Sequence, residues 1–424
     1  MHRLCFLAAV AALVARAQIH PIQELVEAAR AKSPEFQALL AKRAPNLKNA
    51  GGAWVWGQDF LFAAEAENSA AVSVDGQAPA ALDRIAGSRV WFRVFKMRTG
   101  VTHSYQLMAD GKPLGQRRDI AGYNPDSYPK PGVPMGTLSE KRTITSKIYD
   151  GATADYWIYA SPGVDPSRPA PLMVWQDGQG IAGQGIANGD VSALRLFTVT
   201  ENLIAQKLIP PMVHVMIAPA IAPGGRSLRS IEYDTLSDRY GRFLMEEVLP
   251  EVEKTYKLRQ DGYSRAIAGE SSGAICAFNV AWFFTDKFTR VHSTIGSYTS
   301  IQWHPEEHLD GGNVYPFKIR REPKKNIRVW QSDGMDDLEN QFGSWPAQAI
   351  QFANSLKMKG YDFHFRFGEA AHNSAQAALD LPESLAWLWR DYDPAKTEQI
   401  YEQDPAEREK PPFRIKVVNR DAWY

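Results

Sequence analysis

The sequence has little cysteine: Cys5 and Cys276 are its only two among 424 residues. Cys5 lies in an N-terminal segment that we expect to be removed, so the mature chain would keep one thiol. One thiol excludes an internal disulfide, and a chain of this length can bury a large core without one. Cys276 lies among apolar residues of a predicted helix, which favours a buried structural thiol.

The sequence also lacks an excess of charge of either sign. Its 48 Lys and Arg residues balance 48 Asp and Glu residues, and we find no basic patch or long charged block. This balance argues against a nucleic acid partner and against a charged disordered tail. With 44% hydrophobic and 23% charged residues, the composition is that of a globular protein. The length favours two domains.

No apolar run approaches the about 20 residues that span a bilayer. The run Leu4–Val14 is preceded by His2 and Arg3 and followed by Ala15-Arg16-Ala17. This order is typical of a secretory signal peptide, here residues 1–17, and the alternative is an uncleaved anchor. We therefore predict a periplasmic or secreted bacterial protein without a membrane span after cleavage.

Hydrophobic periodicity divides the rest of the chain into segments. An initial helical spacing gives way to a period of two, then to a stretch with four prolines and two glycines. After it, apolar strands alternate with amphipathic helices, which predicts a mostly parallel sheet covered on both faces. The predicted segments are a helical segment (18–52), an immunoglobulin-like or carbohydrate-module-like β-sandwich (53–122), a Pro-rich linker (123–140), an α/β domain (141–392) and a C-terminal extension of unassigned role (393–424).

One predicted strand end carries Gly269-Glu270-Ser271-Ser272-Gly273, which fits G-x-S-x-G. This pattern places its central serine on a sharp turn between a strand and a helix. Ser271 is therefore the candidate nucleophile, and the backbone N–H of Ser272 is a candidate oxyanion donor. The alternative is that these small residues only form a turn.

A serine nucleophile needs a base and a carboxylate that orients the base. Asp333, Asp336, Asp337 and Glu339 follow one later strand, and His372 follows another. The order serine, acid, histidine is that of the G-x-S-x-G hydrolases. The acids could instead complement a helix dipole, and His372 could be an ordinary loop residue.

A fourth strand end, Asp177-Gly178-Gln179, is a candidate for the second oxyanion donor. The backbone N–H of Gly178 or Gln179 could serve. An ordinary glycine-rich turn is the alternative.

Several stretches together resemble the putative esterase (esterase D-like) family of α/β-hydrolases, most closely its enterochelin esterase-like branch. They include "LMVWQDGQG", "RAIAGESSGAICAFNVAWFF", "RVWQSDGMDDLEN" and "FGEAAHNSAQAALDLPESLAWLWRDY". The resemblance implies an α/β-hydrolase fold, a mostly parallel sheet with helices on both faces, preceded by a small N-terminal β-sandwich. It also implies a Ser-Asp/Glu-His triad without metal or cofactor. Its acid, in a G-x-x-D/E setting, corresponds to Asp337, with Asp336 as the nearest rival, and its histidine to His372.

Further residues are candidates for substrate contacts. Trp303 and Trp345 could form an aromatic platform, or could simply pack in the core or a lid. Arg226 and Arg229 could bind an anionic or catecholate substrate, or could pair with Glu232 or Asp234.

The segment His304–His308 matches H-x-x-E-H, a zinc-peptidase pattern. Pro305 and the following Asp310-Gly311-Gly312 argue against the helix that such a site needs. We interpret the segment as a loop above the active site and predict no metal.

The sequence thus predicts a secreted serine carboxylesterase. Its substrate would be a small-molecule ester such as a siderophore triester, or a polysaccharide-linked feruloyl or acetyl-xylan ester. A non-catalytic binding protein on a hydrolase scaffold is the remaining alternative. The sequence does not indicate an oligomeric state.

Overall fold

The computed structural model describes residues 19–44, 46–183 and 193–414. The predicted signal peptide at residues 1–17 lies outside the described residues. Among the residues described, no helix has the length and hydropathy needed to cross a membrane.

The helices and strands are numbered here in chain order. The helices are α1 (Pro21–Ala31), α2 (Phe36–Arg43), α3 (Leu47–Ala50), α4 (Gln179–Ala182), α5 (Leu196–Ala205), α6 (Arg229–Asp234), α7 (Arg239–Phe243), α8 (Leu249–Glu253), α9 (Ser272–Phe283), α10 (Tyr315–Arg321), α11 (Trp345–Met358), α12 (Ala375–Leu388) and α13 (Pro405–Glu409). The strands are β1 (Gly52–Trp56), β2 (Asp59–Glu65), β3 (Ala70–Val74), β4 (Ala80–Ala81), β5 (Asp83–Arg84), β6 (Val90–Lys96), β7 (Val101–Ala109), β8 (Lys112–Gly122), β9 (Thr137–Leu138), β10 (Arg142–Thr145), β11 (Thr153–Ala160), β12 (Leu172–Gln176), β13 (Val213–Ile217), β14 (Arg265–Glu270), β15 (Arg290–Thr294), β16 (Arg328–Asp336), β17 (Glu339–Asn340), β18 (Gly343–Ser344) and β19 (Asp362–Ala371).

A nine-stranded sheet forms the centre of the larger part of the chain. Its order is β10-β11-β13-β12-β14-β15-β16-β19, with β9 paired to β11. The strands from β13 to β19 in this order pair in parallel, and β9, β10 and β11 join in antiparallel fashion. The predicted mostly parallel α/β sheet is confirmed.

Helices cover both faces of this sheet. Successive strand residues point to opposite faces, so Val174 packs in one core with α6 to α11, whereas Met173 and Trp175 pack in another with α5 and α12. Strands β12, β13 and β15 are buried at every residue. Burial on both faces explains why β12 and β13 are largely apolar, whereas β15 buries polar residues, among them His292, whose Nε2 is hydrogen-bonded to Ser384 Oγ at 2.9 Å.

The N-terminal strands form two four-stranded antiparallel sheets, β1-β2-β6-β5 and β4-β3-β7-β8. Phe60, Phe62 and Leu107 lie in the core between the sheets, and Leu61 faces helices α1 and α2 on the outside. The two sheets therefore form a sandwich with a helical layer on one face. The predicted small N-terminal β-sandwich is confirmed.

The Pro-rich segment 123–140 is bound to the α/β part rather than free. Asn202 in α5 donates to the carbonyl oxygens of Asp126 and Tyr128 at 2.8 Å each. Glu201 accepts from the Gly136 N–H at 2.9 Å. Because α5 satisfies these backbone groups, the segment has a defined path between the two parts.

Arg195, just before α5, joins this segment to the sandwich. Its side chain donates to the carbonyl oxygens of Ser127 (3.2 Å) and Val55 (3.0 Å). Its guanidinium carbon lies 3.7 Å from the ring centroid of Tyr123 and 4.6 Å from that of Tyr128. Arg195 is only 4% exposed, so aromatic faces and carbonyl oxygens replace its lost hydration.

At the other end, residues 393–414 lie against the α/β part, with Tyr401 buried. The last ten residues of the predicted C-terminal extension, 415–424, lie outside the described residues.

Replacing Arg195 with Ala should destabilise the protein by about 2–4 kcal/mol, because two buried carbonyl oxygens lose their donor. Arg195→Lys should be intermediate, since an ammonium cannot reproduce the planar fork. Urea denaturation measures both effects. Arg89→Ala, which removes an exposed arginine paired with Glu65 and Glu67, is the control. An unchanged midpoint for Arg195→Ala would contradict this role.

Candidate active site

The turn after β14 puts Ser271 in a strained conformation. Its φ of 57° and ψ of −124° are rare for a residue with a side chain. A Cβ atom at Gly269 would lie 2.3 Å from the Gly273 backbone, and one at Gly273 would lie 2.9 Å from Gln176 Cβ. Both glycines are therefore required by close packing, and the turn leads directly into α9.

The structure brings the three predicted residues together at one edge of the sheet. His372 Nε2 lies 2.8 Å from Ser271 Oγ, and His372 Nδ1 lies 2.5 Å from Asp337 Oδ1. The three residues follow strands β14, β16 and β19, whose carboxyl ends meet at this edge. The arrangement can pass a proton from the hydroxyl to the imidazole while the carboxylate holds the ring.

Asp336, the rival acid, turns away from His372. Its carboxylate accepts from Arg117 Nη2 at 2.8 Å. Asp337, in contrast, is buried and also accepts from the Leu338 N–H at 2.5 Å. The geometry therefore favours Asp337 as the partner of the imidazole.

A second buried carboxyl group, that of Asp333, lies behind Asp337. Asp333 is 1% exposed, and its Oδ1 accepts from the Gly334 N–H at 2.8 Å. Burial, and then the hydrogen-bonded neighbour Asp337, raise the pKa of Asp333 well above its usual value. The Oδ2 atoms of both residues are buried without another partner among the described residues. A proton on Asp333 would give its carboxyl group a donor for the neighbouring Asp337 carboxyl group.

The predicted oxyanion donors are not equivalent. The Ser272 N–H, at the start of α9, and the Gln179 N–H, at the start of α4, have no acceptor among the described residues. The Gly178 N–H donates to the Ile217 carbonyl oxygen at 2.8 Å. The prediction for Gly178 is therefore wrong, because its donor is used within the sheet, and Ser272 and Gln179 remain as candidates.

Arg229 pairs with a residue that the sequence did not indicate. Its Nε and Nη2 each donate to the Asp177 carboxylate at 2.8 Å. The expected pairing with Glu232 or Asp234 is wrong, because the guanidinium directs both of these donors at the Asp177 carboxylate in a bidentate pair. Because Asp177 has a φ of 54°, the pair stabilises an otherwise strained turn just before Gln179. Arg226 lies exposed in the preceding loop.

Two contacts at the site had no sequence signal. Ser297, in the loop after β15, lies with its Oγ 3.2 Å from Ser271 Oγ, and its N–H donates to the Ser271 carbonyl oxygen at 3.1 Å. Glu270 accepts from Ser374 Oγ at 2.5 Å, and burial raises the pKa of Glu270. Both contacts cross from one strand end to another, which spacing along the chain cannot reveal.

Trp345 is part of the support for His372 rather than a platform. It is 2% exposed, its Nε1 donates to Ser297 Oγ at 3.2 Å, and its ring meets that of His372 edge-on at 5.8 Å. The platform prediction is therefore wrong for Trp345, because core packing removes its surface from substrate.

A cleft of about 1010 Å³ opens beside His372, between the sandwich and the α/β part. The sandwich contributes aromatic and basic side chains, and the α/β part contributes residues next to the triad. The lining includes Trp54, Tyr105, Arg117, Arg118, Leu338 and His372. Trp303 is half-exposed in the loop after β15 and does not line this cleft.

The segment His304–His308 forms a short 3₁₀ turn, Pro305–Glu307, in that same loop. His304 Nδ1 lies 3.7 Å from Glu306 Oε1. Across residues 19–44, 46–183 and 193–414, no group of three or more His, Cys, Asp or Glu side chains is arranged to hold a metal ion.

The parallel sheet, the strained serine turn and the Ser-His-Asp contacts define the α/β-hydrolase class. The family model described as "Putative esterase" matches residues 155–388, more than half of the chain. The chain therefore belongs to this esterase family and is a carboxylic ester hydrolase.

Solved structures with the same fold include enterobactin esterases. The enterobactin esterase FES from Shigella flexneri, in the presence of enterobactin, is 15% identical with a TM-score of 0.56, covering 84% of this chain and 98% of that one. The ferric enterobactin esterase from Salmonella typhimurium is 17% identical with a TM-score of 0.52, covering 82% and 98%. Coverage this high cannot come from residues 141–392 alone, so the likeness includes the sandwich.

A feruloyl esterase module from Clostridium thermocellum, complexed with sinapinate, matches less of the chain. It is 18% identical with a TM-score of 0.47, covering 65% of this chain and 97% of that one.

Replacing Asp333 with Asn tests the protonated carboxyl. Asn keeps a donor for Asp337, so activity on a p-nitrophenyl ester should stay within a fewfold of wild type, whereas Asp333→Ala should lose more. The raised pKa means that the folded chain retains a proton that the unfolded chain releases above about pH 4. The free energy of unfolding of wild type should therefore fall as pH rises, by up to about 1.4 kcal/mol per unit from this group.

The stability of Asp333→Asn relative to wild type should increase from pH 4.5 to pH 8, as measured by urea denaturation. Asp83→Asn, at an exposed position of the sandwich, is the control and should show no such trend. Equal losses of activity in Asp333→Asn and Asp333→Ala would contradict the shared proton.

Proposed function

We propose that this esterase works through an acyl-enzyme formed on Ser271. The observation that carries the proposal is the chain of contacts from Ser271 Oγ to His372 Nε2 (2.8 Å) and from His372 Nδ1 to Asp337 (2.5 Å). The strained turn supports it as well, because it exposes the hydroxyl at the N-terminus of α9.

In this mechanism Ser271 Oγ attacks the ester carbonyl carbon while His372 Nε2 takes the hydroxyl proton. His372 then gives the proton to the leaving alcohol, and Asp337 stabilises the imidazolium. The N–H groups of Ser272 and Gln179 stabilise the oxyanion, and each such donor is worth about 10²–10³ in rate. Water activated by His372 releases the acid and restores Ser271.

For the substrate we propose a bulky siderophore-type triester. The cleft of about 1010 Å³ is large enough for such a molecule. Trp54 offers an aromatic surface, and Arg118 offers an exposed cation at the cleft. These features suit catecholate rings, and the fold shared with enterobactin esterases over both parts of the chain agrees with this choice.

Aromatic surfaces also suit a feruloyl ester on a polysaccharide, so a feruloyl or acetyl-xylan esterase is the second candidate. We further propose export to the periplasm or outside the cell. That proposal rests on the basic, apolar and small-residue pattern of residues 1–17.

Replacing Ser271 with Ala should lower kcat on a p-nitrophenyl ester by at least about 10⁴, because the attacking oxygen is lost. It should also abolish labelling by a fluorophosphonate, and peptide mapping of wild type should find the adduct on Ser271. Ser272→Ala should keep most of the activity, since only its backbone N–H is used. Equal rates for Ser271→Ala and wild type would eliminate the mechanism, and inert wild type would favour a binding protein.

Ferric enterobactin and methyl ferulate should be hydrolysed at different rates by the same enzyme. We expect the catecholate triester to have the higher kcat/KM, and Arg118→Ala to raise its KM while changing the KM of neutral methyl ferulate little. Product chromatography measures both reactions. A higher kcat/KM for methyl ferulate would replace the siderophore assignment with the feruloyl one.

A further inference from the structure

Strand β8 of the sandwich reaches the two loops that carry Asp337 and His372. Arg117 Nη2 donates to Asp336 Oδ2 at 2.8 Å, and Asp119 Oδ2 accepts from the Ala371 N–H at 2.8 Å. These contacts join residues 219 and 252 positions apart. Asp336 directly precedes Asp337, and Ala371 directly precedes His372, so each contact is made to the residue before a proposed triad residue.

Arg117 lies in an irregular part of β8, whereas Asp119 lies just past it and pairs regularly with Ser104. Tyr105 pairs with Arg118 and Leu107 with Leu114, so three residues of β8, from Gly115 to Arg117, lie opposite Gln106 alone. Gln106 Nε2 donates to the Leu114 and Gly115 carbonyl oxygens, which closes the bulge. Bulges re-aim side chains at functional edges, and this one directs Arg117 out of the sandwich.

Asp119 contacts the chain just before His372. Its Oδ2 accepts from the Ala371 N–H, one residue before the imidazole. The main chain is thereby held to β8 next to His372. Rotation of this loop would move Nε2 away from Ser271.

Other contacts near these residues keep β8 in place. Helix α12, which begins just after His372, packs against β7 and β8. Asn124 Nδ2 donates to the Leu379 carbonyl oxygen at 2.9 Å. Arg117 and Asp336 are 53% and 40% exposed, and such pairs contribute little to stability. A role in positioning the neighbouring triad residues therefore explains this pair better than a contribution to folding stability does.

We propose that Arg117 and Asp119 are positioning residues, through which the N-terminal sandwich holds Asp337 and His372 in line with Ser271. The proposal rests on the proposed triad. In this proposal the sandwich is needed for a correctly arranged active site. The rate of hydrolysis depends on strand β8, although no residue of β8 takes part in bond making.

Asp119→Ala tests the proposal, with Asp119→Asn as the conservative variant. Misplacement by about 1 Å can cost up to about 10² in rate, so Asp119→Ala should lower kcat about ten- to hundredfold with little change in KM. Asp119→Asn should recover most of kcat, because an amide oxygen still accepts from the Ala371 N–H. Fluorophosphonate labelling rates, which report the chemical step without a natural substrate, should follow the same order.

Arg117→Ala, at an exposed position, is the second variant and covers the case in which Asp119→Ala fails to fold. Its kcat should fall several-fold, and combining it with Asp336→Ala should add little further loss, because both changes remove one contact. Asp83→Ala and Arg89→Ala remove exposed charges elsewhere on the sandwich and serve as matched controls at wild-type rate.

A wild-type kcat for Asp119→Ala and Arg117→Ala would overturn the proposal while leaving the triad intact. Equal losses in Asp119→Ala and Asp119→Asn, or a change confined to KM, would also overturn it in favour of a substrate contact. A wild-type protein that neither hydrolyses esters nor takes the label would overturn the triad and this proposal together.

Discussion

The backbone turn at Ser271 is the constraint on which the rest of the active site depends. Its positive φ is held by the tight contact between Gly269 and Gly273 and by the pairing of β14 with β12 and β15. Because β14 lies between these strands, the loops after them converge on the serine. The loop after β12 brings Gln179, and the loop after β15 brings Ser297. Strain at one residue is thus maintained by the packing of a whole sheet.

Local signals allowed much of this to be predicted from the sequence. Apolar runs and helical spacing indicated the parallel sheet, and glycine spacing indicated the turn at Ser271. Asp337 needed the family resemblance, because neighbouring acids give the same local pattern. Gly178 could not be rejected in advance, since its N–H is used by Ile217 on the adjacent strand. The Asp177 partner of Arg229 and the burial of Trp345 likewise arise from contacts distant in sequence.

The site separates two kinds of carboxyl group by their surroundings. Asp337 receives hydrogen bonds from His372 and the Leu338 N–H. Asp333, only four positions away, is enclosed where ionisation would place a second negative charge beside the first. Asp337 therefore orients the imidazole, while its buried neighbour Asp333 resists adding a second negative charge.

The cation–π contacts of Arg195 with Tyr123 and Tyr128 have a consequence for how this architecture can be rearranged in evolution. If the chain were divided near residue 140, Arg195 in the α/β part would lose its contacts with both rings, and the rings would be exposed on the N-terminal part. The sandwich is therefore not an independent module joined by a flexible linker. We expect it to be inherited together with the esterase domain, with insertions confined to surface loops.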